Sequence, residues 1–171
     1  MPDLNDYILA KAIENKICKP WAAKIAKAKN TDELMEMYVR GIDFCLDNNF
    51  PSNDDLRRLS GGINNQYGVY IDQEIKITDR PFLVLLGECA GEINCTGFSV
   101  TKLHTKHSSH VRVNAQGNAV VAIDCFDQSF LDIHAGDQST VLISVYGNAE
   151  VIHTSTGNAR IKITNKLKDT Y

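Results

Sequence analysis

Three histidines, His104, His107 and His110, follow one another at intervals of three, with His134 and His153 further along. On a helix that spacing would turn one face toward zinc, which wants a compact tetrahedral set of ligands. The surrounding residues read instead as strand and corner. That assigns His104 and His110 to different sheets, with His107 at the corner between them, and no metal site is assigned. Carboxylates form the second candidate group, with Asp124 and Asp132 on outward positions and Asp127 and Asp137 at corners. Calcium needs six or more oxygen ligands, and one carboxylate per corner falls short. Asp132 instead faces Arg112 one coil below, as a surface ion pair. Ser, His and Asp are plentiful, but no G-x-S-x-G, Walker-type or G-x-G-x-x-G pattern marks any of them as positioned. No catalytic residue and no cofactor is assigned.

The five cysteines, Cys18, Cys45, Cys89, Cys95 and Cys125, are odd in number and contain no C-x-x-C. Cys45 lies on an apolar helical stripe and Cys125 on a small-residue position, both expected to be buried as small hydrophobes. Cys89 and Cys95 are expected to stay reduced. The remaining candidate is electrostatic: Lys16, Lys19, Lys24, Lys27 and Lys29 form a run with no acid between Glu14 and Asp32. A solvated face of an amphipathic helix explains such a run. A contact for nucleic acid or another anionic partner is the functional alternative, and it would weaken with salt.

Ten-residue units position most of these groups. From Ser109 onward the chain reads SHVRVNAQGN, AVVAIDCFDQ, SFLDIHAGDQ, STVLISVYGN, AEVIHTSTGN, ARIKITN, without insertion or deletion. A small residue opens each unit, an apolar pair follows, and a turn dipeptide such as Gly117-Asn118 or Asp137-Gln138 closes it. Self-similarity at a fixed period is the signature of a repeat architecture. Alternation over seven residues describes a strand with one buried face, here the odd positions. One unit cannot bury that face alone. Two units making one coil of about 20 residues can, and coils then stack in parallel at the ordinary strand spacing of about 4.8 Å.

The expected class is therefore α+β, with a helical domain over 1–62, connecting strands over 63–80, and a parallel β-solenoid of about four coils over 81–171. An antiparallel β-meander covered by helices is the alternative. In the solenoid Phe126 and Tyr146 stack one coil apart, and Asn and Gln at the corners form axial ladders. One sheet turns Val120, Ala122, Thr140 and Leu142 outward as an apolar patch, the kind of surface used by partners or oligomers unless the helices cover it. The other exposes His110, Arg112, Phe130, Asp132 and Glu150. His153 holds an inward phase, as a hydrogen-bonded core residue or a sign of a loosening last coil. Arg160, Lys162, Lys166 and Lys168 protect the last, open edge.

Four helices are expected before the strands. The first covers about Asn5 to Asn15, and the second opens at Pro20, a residue favoured at the first helical position. Asn30 with Glu33 resembles a capping box for a third helix carrying Leu34, Tyr38, Ile42, Cys45 and Leu46. Ser52 caps a fourth that stops at Gly61-Gly62.

Composition bounds the function. The 171 residues carry a formal charge of −3, with 43% hydrophobic and 23% charged residues. Residues 1–62 hold nine Lys/Arg against ten Asp/Glu, and 63–171 hold nine against eleven, so neither part has the basic excess of a dedicated nucleic-acid binder. No apolar run approaches a membrane span, and the start MPDLNDYILAKAI lacks signal-peptide features. A cytosolic protein is expected.

The turn pair followed by A-x-V-x-A resembles the degenerate decapeptide repeats of uncharacterised β-solenoid proteins in bacteriophages and bacteria. The segment Trp21–Leu59, with DFCLDNNFPSNDDLRRL, resembles the N-terminal part of uncharacterised proteins from gut Bacteroides-type bacteria and their mobile elements. These resemblances imply a phage or mobile-element accessory protein, in the host cytoplasm or the virion, and carry over no functional residue. The function expected is non-enzymatic: a structural or protein-interaction module binding a partner or itself through flat solenoid faces. A nucleic-acid-associated regulator using the lysine-rich second helix is the alternative. A solenoid hydrolase or sugar-binding protein is a distant third.

Overall fold

The computed structural model describes residues 4–61 and 64–171. The chain divides into two compact units, Met1–Tyr67 together with Tyr171, and Gly68–Thr170. Gly62 and Ile63, where the helical domain was expected to end, lie outside the described residues.

The first unit holds α1 (Leu4–Glu14), α2 (Lys19–Lys27), α3 (Thr31–Arg40), α4 (Ile42–Asn48), α5 (Asn53–Ser60) and a single 3-10 turn at Asn64–Tyr67. Local capping explains most of their starts. Asn30 Oδ1 accepts from the Glu33 amide at 2.9 Å, and Glu33 Oε2 accepts from the Lys29 amide at 2.9 Å. The first bond satisfies a donor that the opening turn of the helix leaves free, and the second ties the residue before the cap back to that turn. Ser52 Oγ accepts from the Asp55 amide at 3.2 Å and donates to its carboxylate at 2.8 Å. Gly61 closes α5 with a φ of 57°, the left-handed cap that glycine adopts without penalty.

The expected third helix is two. It breaks at Gly41, whose φ of −103° and ψ of 26° are not helical. The apolar spacing of Leu34, Tyr38, Ile42 and Cys45 runs on across the break, and all four are buried. A side chain would crowd this point: a Cβ at Gly41 would stand 3.3 Å from the Met37 carbonyl and 3.7 Å from the Trp21 ring.

The second unit is a β-solenoid of roughly five turns with about 20 residues per coil. Its strands are β1 (Val69–Ile71), β2 (Glu74–Thr78), β3 (Phe82–Leu86), β4 (Ala90–Cys95), β5 (Val100–Thr105), β6 (His110–Ala115), β7 (Val120–Cys125), β8 (Phe130–Ala135), β9 (Thr140–Val145), β10 (Glu150–Ser155) and β11 (Arg160–Asn165). Odd-numbered strands form one sheet in the order β1-β3-β5-β7-β9-β11, and even-numbered strands form the other, β10-β8-β6-β4-β2. Every pairing among them is parallel, which rules out the meander. From β3 onward the register sets equivalent positions of successive coils side by side, as in Ile123↔Ile143 and Val113↔Ile133.

Of the residues expected to connect the two parts, β1 and β2 belong to the first coil, while Asn64–Tyr67 belong to the helical unit. Val69 pairs with Val84 and Glu74 with Ala90, so this coil is shorter than those that follow. The shortening explains why the ten-residue phase cannot be followed upstream of residue 81.

Inward positions fill a narrow dry core in which Leu83, Ile93, Leu103, Val113, Ile123 and Ile133 are all buried. The first residue of each corner dipeptide is left-handed. Glycine takes it at Gly97, Gly117, Gly147 and Gly157, and His107, Asp127 and Asp137 take it elsewhere. Main-chain bonds join the corners axially: the Asn118 amide donates to Gly97 O at 2.7 Å, and the Gln128 amide to His107 O at 3.0 Å. The serines that open units turn inward and donate to corner carbonyls, Ser129 to Phe126 O and Ser139 to Gly136 O, both at 2.8 Å.

Candidate interaction surfaces

The outer face of the β1-to-β11 sheet carries the expected apolar patch. Val120 pairs with Thr140 and Ala122 with Leu142, so the four residues occupy adjacent strands. Val100, in register beside Val120, extends the column by one strand. Val100 is 65% exposed, Val120 37% and Leu142 44%. Each is an even position, which the pleat turns away from the core.

Lys102 and Lys162 stand on either side of Ala122 and Leu142 in the same row, so cations bound the patch, and polar groups follow further along the strands. Lys102 forms an ion pair with Asp124, and His104 Nδ1 lies 3.8 Å from Asp124 Oδ2. Phe82 tilts against the His104 ring, centroid to centroid at 5.8 Å. His104 is only 1% exposed. Burial pushes its pKa down to about 4, with the nearby Lys102 cation adding to the shift and Asp124 opposing it. A neutral imidazole beside a carboxylate is the local state at neutral pH.

The opposite face is mostly polar, although Ile152 is exposed on β10, and several of its groups are paired. Arg112 binds Asp132 at 2.8 Å, and His134 Nε2 lies 2.9 Å from the same carboxylate. Partial burial alone would raise the Asp132 pKa, but the hydrogen bonds from Arg112 and His134 hold it below the usual value. Asn114 donates to Glu92 at 2.8 Å and to Asn94 at 2.9 Å. His110 lies over Phe130 at 4.5 Å. Glu150 is exposed at the end of this face.

One corner holds a column that sequence reasoning resolved only in part. Phe126 and Tyr146 stack with centroids 4.6 Å apart. Below them sits Lys106, 3% exposed, with Nζ 5.3 Å from the Phe126 centroid and 3.8 Å from Asp127. The signal was available, since Lys106 holds the repeat position of Phe126 one coil earlier, but a lysine in an aromatic column does not read as interior.

The corner carboxylates bind backbone. Asp127 Oδ2 accepts from the His107 amide at 3.0 Å and Asp137 Oδ2 from the Gly117 amide at 2.8 Å. His107 does the same with Nδ1, accepting from the Gly87 amide at 2.9 Å. The three clustered histidines thus stand apart: His104 in β5, His107 at the corner and His110 in β6. Among the described residues no group of three or more His, Cys, Asp or Glu is placed to hold a metal ion. All five cysteines are free thiols, with Cys18 exposed and the others buried.

His153 keeps its inward phase but is exposed, as are Thr154 and Ser155 beside it. β10 is the last strand of its sheet, as β11 is of the other. Arg160, Lys162, Lys166 and Lys168 are all exposed there.

In the helical unit Lys16, Lys19, Lys24, Lys27 and Lys29 are exposed. They do not share one helical face. Lys16 lies in the turn after α1 and Lys29 in the link after α2, with the other three on α2. Lys24 Nζ lies 4.8 Å from the Trp21 ring centroid.

The architecture defines a β-solenoid protein with a helical N-terminal unit. Comparison with protein families, with curated proteins and with solved structures returns no match for this chain. No helix among the described residues is long and apolar enough to cross a membrane.

Proposed function

We propose that the chain is a non-enzymatic interaction protein in which the solenoid is a rigid display element. Its working surface is the patch of Val100, Val120, Ala122, Thr140 and Leu142, which docks onto a protein partner or a second copy. The observation that carries this is the run of exposed aliphatic side chains across β5, β7 and β9. A contiguous apolar patch on a flat, well-ordered surface is the usual mark of an association site. The strands beneath it are paired on both sides, so the surface is presented without a cost of ordering. The resemblance of DFCLDNNFPSNDDLRRL to mobile-element proteins supports an accessory role in a phage or mobile element, inside the bacterial host or the virion.

Light scattering of the purified chain, with and without Leu142→Asp and Val120→Asp, is the direct test, coupled to capture of partners from the host. Loss of a dimer or of a captured partner on substitution supports the reading. Behaviour identical to wild type in both assays removes it.

A nucleic-acid-associated role is the second reading, and the five exposed lysines between Glu14 and Asp32 favour it. Heparin retention that falls steeply with salt, and is lost in Lys19→Glu/Lys27→Glu, would support it.

A further inference from the structure

Beyond the solenoid face, the helical unit contains a cavity of about 510 Å³ that the interaction reading does not use. We propose that this cavity is a binding site for a straight-chain apolar ligand with an anionic head, such as a medium-chain carboxylate.

The walls set the ligand's body. They come from Trp21 and Ile25 of α2, Leu34 and Met37 of α3, and Phe44 and Phe50 around α4. These side chains offer aliphatic and aromatic surface and no charge. Volumes of about 300–1,000 Å³ lined this way are typical of small-molecule sites. Gly41 also lines the space, so the break between α3 and α4 removes a side chain from the wall.

The mouth sets the head. The charged lining residues are Lys16, Arg40 and Asp43, all exposed. Arg40 pairs with Glu36 at 3.8 Å in an exposed contact and Lys16 offsets Asp43, while Lys24 Nζ lies 4.8 Å from the Trp21 ring of the wall and no acid occurs from residue 15 to 31. The acid-free run thereby acquires a specific use: it biases the opening of an apolar cavity toward an anion. An alkyl carboxylate matches both features, because its chain is driven inward by burial while its head stays wet near Lys16 and Lys24.

Trp21 is the single tryptophan of the chain and stands in the wall, so its emission reports occupancy. The full-length protein is titrated with decanoate, decanol and decyltrimethylammonium below their aggregation concentrations, and with shorter and longer carboxylates. Decanoate is expected to shift the emission saturably and to bind about tenfold tighter than the ammonium. Affinity is expected to rise about fourfold per added methylene until the cavity is full. In Lys16→Glu/Lys24→Glu, a change at two exposed positions with the fold checked by circular dichroism, the preference for the anion is expected to vanish or reverse. No saturable shift with any chain, or affinity that ignores chain length, overturns the site. Equal binding of decanoate and the ammonium by the wild-type protein overturns the anionic head.

Discussion

Phe126 and Tyr146 occupy equivalent positions of successive coils, and their rings lie 4.6 Å apart and 17° from parallel. Both rings are buried at the same corner of the solenoid. The stack therefore measures the period of the repeat directly. Phe126→Ala is expected to cost about 3–5 kcal/mol, the range for a large buried aromatic. A double-mutant cycle with Tyr146→Ala is expected to return a coupling of about 0.5–1.5 kcal/mol from ring contact beyond area burial. Urea unfolding of the four proteins measures it, and strict additivity would deny the stack any energetic meaning.

At the corners glycine and aspartate solve one backbone problem in two ways. Gly117 has a φ of 67°, and a Cβ there would stand 3.0–3.2 Å from the backbone of Gly97 in the coil before. Asp137, with a φ of 56°, takes the same strained conformation but binds the Gly117 amide. Gly117→Ala is expected to destabilise by about 1–3 kcal/mol through backbone strain and contact. Asp137→Ala loses the bond and keeps the strain, again about 1–3 kcal/mol. Asp137→Gly loses the bond but relieves the strain, and is expected to change stability by less than about 1 kcal/mol. Denaturation midpoints that ranked glycine worse than alanine at 137 would reverse this argument.

His104 makes stability depend on pH. Its ordinary value is 6.5 and burial lowers it to about 4 in the folded chain. Between those values the unfolded chain binds a proton that the folded chain does not. The stabilisation is therefore complete above pH 6.5 and declines as the pH falls from 6.5 toward 4. His104→Gln is expected to flatten the change in unfolding free energy between pH 7 and pH 5 relative to wild type. An NMR titration showing the His104 ring protonating near 6.5 in the folded protein would contradict it.

The solenoid was legible because its phase never slips. Leu103, Ile123 and Ile143 recur at one position of the repeat, and each is buried. The patch around Leu142 was legible for the same reason, since parity alone separates inward from outward residues. Other features hid where a pattern was locally continuous or locally short. The apolar stripe of Leu34, Tyr38 and Ile42 continues through Gly41, so hydrophobic spacing gives no sign of the break. The first coil escaped because its strands pair at shorter offsets than the repeat, Val69 with Val84 and Glu74 with Ala90. Lys106 escaped because the corner buries the whole side chain, with its ammonium between the Phe126 ring and Asp127, while its type signals solvent. The cavity depends on how α2, α3 and α4 meet, which no linear spacing encodes.

Ile133 and Ile163 share one inward phase, three units apart. Ile133 is 0% exposed in β8, with a strand paired on each side. Ile163 is 40% exposed in β11, which has a neighbour on one side only. Stacked repeats derive their stability from nearest-neighbour interfaces, so the last coil is held by one interface where inner coils have two. Ile133→Ala is expected to cost about 2–5 kcal/mol as a cavity in a closed core. Ile163→Ala removes a side chain already half in water and is expected to cost less than about 1.5 kcal/mol. Hydrogen exchange is expected to follow the same gradient, with amides of β11 opening before those of β7, because local opening starts where few apolar contacts oppose it. Equal costs at the two positions, with uniform exchange along the strands, would mean that the terminal coil is buried in solution.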